Sequence, residues 1–126
     1  MSETYKKILE TANAAVAQGD YEGLLRCCTE DTQWTFVGNR TLQGKEAVRQ
    51  WMAATYQEPP KFDVQRMIAE HDRVVALGEI TLMNEEGQAT RYAYCDVWRF
   101  RGNKIAELQA FVVEPGPECA ALIPAG

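Results

Sequence analysis

The sequence predicts an α+β fold in which helices come first and an antiparallel sheet follows. Two patterns carry that prediction. In the first half, apolar residues recur at the spacing of one helix face, interrupted by a single short alternating run. From Lys61 onward, four long β-rich segments follow one another with only short polar turns between them, the mark of a meander.

The elements follow in order. Tyr5, Ile8, Leu9, Ala12 and Val16 define the first helix, with Ser2 as its N-cap and Gly19 as its C′ stop. Asp20 caps a short second helix whose inner face carries Tyr21, Leu24, Leu25 and Cys28. Thr32 to Val37 alternates as a strand, and Gly38-Asn39 is a turn. A third helix begins at Gly44, buries Val48, Trp51, Met52 and Thr55, and ends at Pro59-Pro60. Lys61–Glu70, Arg73–Met83, Gln88–Phe100 and Lys104–Glu114 are the sheet strands. Residues 1–114 are expected to form one domain, with 115–126 as a tail that is apolar enough beyond Pro115-Gly116-Pro117 to dock, a partner subunit being one candidate surface.

Composition narrows the function classes. A chain of 126 residues fits a single domain, and 46% hydrophobic with 25% charged residues is ordinary for a globular protein. A net charge of -5 argues against nucleic acid or an anionic membrane as partner. No apolar run approaches the roughly 20 residues that span a bilayer. The N-terminus has no signal segment, so a cytoplasmic location is expected. The 4 cysteines form no Cys-x-x-Cys pair and there is 1 histidine, so neither a metal site nor a cofactor is expected. Cys95 reads as a small buried apolar residue, and His71 as part of a hairpin tip.

The most informative stretch is Tyr92 to Phe100. Side chains alternate along a strand, so Tyr92, Tyr94, Asp96 and Trp98 share one face. A carboxyl among three aromatic residues is paired, solvated or chemically tuned.

The order of elements, together with Gln18-Gly19-Asp20-Tyr21, Thr29-Glu30-Asp31-Thr32, Gly44-Lys45-Glu46-Ala47-Val48 and Asp96-Val97-Trp98-Arg99-Phe100, resembles the SnoaL-like and nuclear transport factor 2-like superfamily, which includes ketosteroid isomerase. The resemblance implies a cone-shaped fold with N-terminal helices packed on the concave face of a strongly curved antiparallel sheet, enclosing an apolar pocket. It sets Asp96 where the isomerase holds a protonated, hydrogen-bond-donating aspartate. Phe36 stands in place of the isomerase's base and Ala12 in place of its oxyanion-hole tyrosine. In a similar comparison with limonene epoxide hydrolase, Glu79 matches the water-activating aspartate. Leu77, Ala110, Trp34 and Phe36 replace its other polar groups.

Closing the Asn84–Gly87 turn with Met83 opposite Gln88 would set Glu79 opposite Tyr92, on the same face as Asp96. The expected catalytic residues are then Asp96, as acid or hydrogen-bond donor, and Glu79, as base. Tyr92, Tyr94, Trp98, Trp34, Phe36, Trp51 and Leu108 would line the ligand site, with Tyr5, Leu9 and Met52 closing it. The opposite face, with Val74, Ala76, Ile80, Leu82, Ala93, Cys95 and Val97, would be an apolar homodimer interface. The expected partner is a small apolar or mixed-polarity molecule. Cofactor-free isomerisation, dehydration, cyclisation or hydrolysis, ligand binding without turnover, and a pure dimerisation module all remain open.

Overall fold

The structure, a computed structural model, describes residues 2–56, 58–83 and 86–114. Its elements are α1 (Ser2–Ala17), α2 (Tyr21–Leu25), β1 (Cys28–Phe36), β2 (Arg40–Gln43), α3 (Lys45–Thr55), β3 (Lys61–Glu70), β4 (Arg73–Met83), β5 (Ala89–Arg101) and β6 (Lys104–Val113). The short β2 is an addition to the sequence expectation. Cys119 and the rest of the tail lie outside the described residues, as do Asn84 and Glu85 of the β4–β5 turn.

Local chemistry accounts for the boundaries. Gly19, at φ 84°, ends α1. Its N–H donates to the Val16 carbonyl at 2.9 Å, and the Asp20 N–H to that of Ala15 at 2.8 Å, a Schellman arrangement that satisfies the last carbonyls. Asp20 then caps α2 by accepting from the Gly23 N–H at 3.1 Å. Between β5 and β6, Gly102 and Asn103 both hold positive φ, as a tight two-residue hairpin requires.

The six strands form one curved, open sheet in the order β2-β1-β6-β5-β4-β3. β3 to β6 make the expected antiparallel meander. The sheet is nevertheless mixed, because β1 runs parallel to β6. The helices cover one face, where Leu9, Ala12, Val16, Leu25, Val48 and Met52 are buried. Tyr5 stacks on Phe100 at 4.5 Å between ring centres. Tyr5, Leu9 and Met52 thus fill the core rather than closing the cavity described below.

The β4–β5 register corrects the sequence expectation. Met83 pairs with Ala89, Ile80 with Tyr92, Gly78 with Tyr94 and Ala76 with Asp96. The connection is one residue longer than assumed, and a one-residue slip turns every β4 side chain to the other face. Val74, Ala76, Ile80 and Leu82 therefore face inward, while Val75, Leu77 and Glu79 join Ala93, Cys95 and Val97 outside. An outward Glu79 buried alone would be costly. Arg91 removes that penalty: its Nε stands 3.7 Å from the Glu79 carboxylate.

Candidate functional site

The inner face of the sheet is laid out in rows across the strands. Trp34, Leu108 and Trp98 form one row, and Phe36, Ala110, Asp96 and Ala76 the next. Val112, Tyr94 and Gly78 follow, then Tyr92, Ile80 and Phe62. The Asp96 row is the important one. The carboxyl is flanked on both neighbouring strands by alanine, so no large side chain fills the space beside it. The helices above do not fill it either, and a cavity of about 270 Å³ remains.

Every one of the seven expected ligand-site residues lines this cavity: Tyr92, Tyr94, Trp98, Trp34, Phe36, Trp51 and Leu108. Asp96 lines it too; Glu79 does not. Sequence reasoning missed Asn13 and Val16 of α1, Leu24 of α2, Tyr56 just beyond α3, and Phe62 of β3. Ala76, Ile80 and Leu82 were assigned to the wrong face by the register. The signal for them was available in β4, where Ala76, Gly78, Ile80 and Leu82 carry no charge and the alternate set includes Glu79.

An aromatic wall bounds the cavity on the β1 and α3 side. Trp34 meets Trp98 edge-on at 5.6 Å between ring centres, and Trp51 at 6.4 Å. Phe36 stacks on Trp51 at 4.6 Å, and Tyr56 meets Trp51 at 5.4 Å. Such contacts fix ring positions beyond what area burial alone supplies. The wall is aromatic and mostly apolar.

Two polar atoms in this setting are unsatisfied. Asp96 Oδ1 and Trp34 Nε1 are buried with no hydrogen-bond partner among the described residues. Burial favours the neutral form of Asp96 and pushes its pKa from 3.8 to about 7. Burial, and then the negative charge of Asp96, push the hydroxyls of Tyr56 and Tyr94 well above the usual phenol range. Near neutral pH the cavity therefore holds one carboxyl poised between acid and base, beside tyrosines that stay protonated.

The remaining charged and nucleophilic groups lie elsewhere. Arg99 stands 3.4 Å from Glu107 and Arg101 2.6 Å from Asp31, both away from the cavity lining. Arg40 is exposed on β2. Cys95 is half-buried on the outer face, and burial pushes the Cys28 thiol up to about 12. Among the described residues, no group of three or more His, Cys, Asp or Glu side chains is placed to hold a metal ion. Nor is any described helix long and apolar enough to cross a membrane.

Comparison with known proteins follows this geometry. No curated protein sequence matches the chain significantly. Solved structures do match. An NTF2-like protein of unknown function from Burkholderia pseudomallei superposes with a TM-score of 0.77 at 19% identity, covering 97% of this chain and 98% of that one. Another, from Cytophaga hutchinsonii, gives a TM-score of 0.72 at 21% identity, covering 90% and 99%. An LEH-like epoxide hydrolase from M. tuberculosis gives 0.79 at 12% identity, covering 88% and 84%. These likenesses establish a shared NTF2-like fold. The model of the SnoaL-like domain matches residues 9–108, from within α1 to the middle of β6, and the chain belongs to the SnoaL-like domain family.

Proposed function

We propose that this protein binds a small, largely apolar molecule in the cavity over Asp96 and acts on it by cofactor-free acid–base chemistry. The observation that carries this reading is the unpartnered, buried Asp96 Oδ1 beside open space. A buried carboxyl without a partner costs stability, so its retention beside a cavity fits a ligand that supplies the missing partner. Below pH 7 the protonated acid donates a hydrogen bond to a ligand oxygen. Above it, the carboxylate accepts a proton. Tyr94 and Tyr56 orient the ligand, and the aromatic wall holds its apolar body. Isomerisation, dehydration or ring opening at a carbon next to such an oxygen are the reactions within reach of one acid–base group.

A second reading, binding without turnover, is favoured by one specific observation. With Glu79 on the outer face, Asp96 is the sole carboxylate among the lining residues, so no second acid is present to return a proton.

The proposal also includes self-association. The outer face presents Val75, Leu77, Cys95 and Val97, with Phe111 41% and Val113 61% exposed beside them. Such a contiguous apolar patch is suited to a second copy of the chain. A cytoplasmic location, resting on cysteine usage, belongs to the same proposal.

The test is native mass spectrometry of the purified protein, followed by identification of any retained molecule. Wild type should carry a ligand that Asp96→Asn retains less well. Asp96→Asn binding and converting that molecule as well as wild type does would remove Asp96 from the mechanism.

A further inference from the structure

The cavity holds one ionisable acid and nothing to balance its charge. Among the described residues no Lys, Arg or His lines it, and Asp96 is its only carboxyl. Asp96 Oδ1 is buried and unpartnered. Burial raises the pKa of this carboxyl to about 7, with no neighbouring cation to pull it back. The arginines of the same strand are engaged elsewhere, Arg91 with Glu79 and Arg99 with Glu107. Above pH 7 the cavity therefore presents a desolvated carboxylate without a counter-ion, a costly state for a buried charge.

The surroundings of that carboxyl suit one kind of counter-ion. Tyr94 and Trp98 flank Asp96 on its own strand and share its face. Phe36 lies in its row, across Ala110, and stacks on Trp51, which meets Tyr56 edge-on. Aromatic faces carry partial negative charge, so they attract a cation and repel an anion. Ala76 and Ala110 leave space beside the carboxyl. The volume of about 270 Å³ equals roughly nine waters' share of the liquid, space for one or two rings with a short substituent. A net charge of -5 adds a long-range attraction for cations.

We propose that the cavity takes an organic amine, a ring-bearing apolar molecule whose protonated nitrogen pairs with the Asp96 carboxylate among the aromatic rings. The inference rests on the ligand-binding reading of the cavity and names the ligand class. An ammonium group supplies both things the site lacks, a hydrogen-bond donor for Oδ1 and a positive charge. A neutral ligand supplies at most the donor. An anionic ligand supplies neither, and it sets two like charges together in a dry space. The sign of the pH dependence follows. Protonating Asp96 removes the counter-charge, so amine affinity falls as pH drops through 7. The other titratable groups of the lining are the hydroxyls of Tyr56, Tyr92 and Tyr94, and burial holds those of Tyr56 and Tyr94 well above the usual phenol range.

Calorimetry with three probes of one shape tests this: 2-naphthylmethylamine, the neutral 2-naphthylmethanol and the anionic 2-naphthoate. At pH 8 the amine should bind about ten-fold more tightly than the alcohol, as a charge-assisted hydrogen bond permits, and 2-naphthoate more weakly than either. From pH 8 to pH 5 the amine should lose about ten-fold in affinity while the alcohol does not weaken. Asp96→Asn should bring the ratio of amine to alcohol affinity to about one at pH 8. Alcohol binding wild type as tightly as the amine does at pH 8 overturns the amine class while the cavity reading stands. So does an amine preference left unchanged either at pH 5 or in Asp96→Asn. Failure of all three probes to bind overturns the cavity reading as well.

Discussion

Gly78 lies directly opposite Tyr94 on the neighbouring strand, and its missing side chain makes room for the tyrosine hydroxyl. A Cβ at this position would stand 3.1 Å from that oxygen and collide with the carbonyl oxygen of Asp63. The glycine therefore seats a cavity tyrosine and admits the β3 bulge at once.

Gly78→Ala should destabilise the protein by about 1–3 kcal/mol through overpacking. It should also shift Tyr94 and weaken ligand binding. Urea unfolding measures the first effect. An unchanged midpoint would mean that β3 moves away freely.

Asp96 makes stability depend on pH with a definite sign. Its pKa is 3.8 ordinarily and about 7 in the folded protein. Between those values the folded state binds more protons than the unfolded state, so stability falls as pH rises from about 4 to 7. The stabilisation lost across this window is on the order of a few kcal/mol. Asp96→Asn should flatten the slope and gain on wild type at pH 8 relative to pH 5. Parallel unfolding curves at the two pH values, identical in both proteins, would refute the raised pKa.

Ala110→Leu places a large side chain beside Asp96, where the space is open. It should cost less than about 1.5 kcal/mol, because it fills a cavity rather than forcing a packed core apart. Ligand affinity should fall at least about ten-fold by calorimetry. Undiminished binding would place the ligand elsewhere.

Glu79→Gln should leave ligand binding unchanged, since the residue faces away from the cavity. Loss of the partly exposed pair with Arg91 should cost about 0.2–1 kcal/mol in thermal or urea unfolding. A large fall in affinity or turnover would return Glu79 to the site.

Val97→Glu sets a charge at the centre of the outer apolar face. Sedimentation of wild type at micromolar concentration should give a dimer, and the variant a monomer. A monomeric wild type refutes the interface.

The strands were legible because their alternation is long and their turns are marked by Gly102-Asn103 and His71-Asp72. The Asp96 face was legible for the same reason, since alternation within β5 needs no partner. What failed was the relation between strands. Register across the β4–β5 connection depends on loop length, and Asn84 to Gln88 hold no two-residue turn signal that would fix it. Helix contributions such as Asn13 depend on how α1 crosses the sheet, which local periodicity does not encode. Tyr56 was missed because it follows α3 rather than lying on it.

The parallel pairing of β1 with β6 has a consequence for how the protein is made. Asp96 lies on β5, and its neighbour on one side is β6. Until β6 inserts between β5 and β1, β5 is an edge and its carboxyl faces water, where it ionises as any aspartate does. Insertion joins residues more than seventy positions apart, such as Trp34 and Leu108, and is a non-local pairing of the kind that slows folding. At pH 5 to 6 that step must also capture a proton. Closing the sheet over Asp96 at pH 5 to 6 thus includes a protonation event, and the refolding rate in that range should depend on pH.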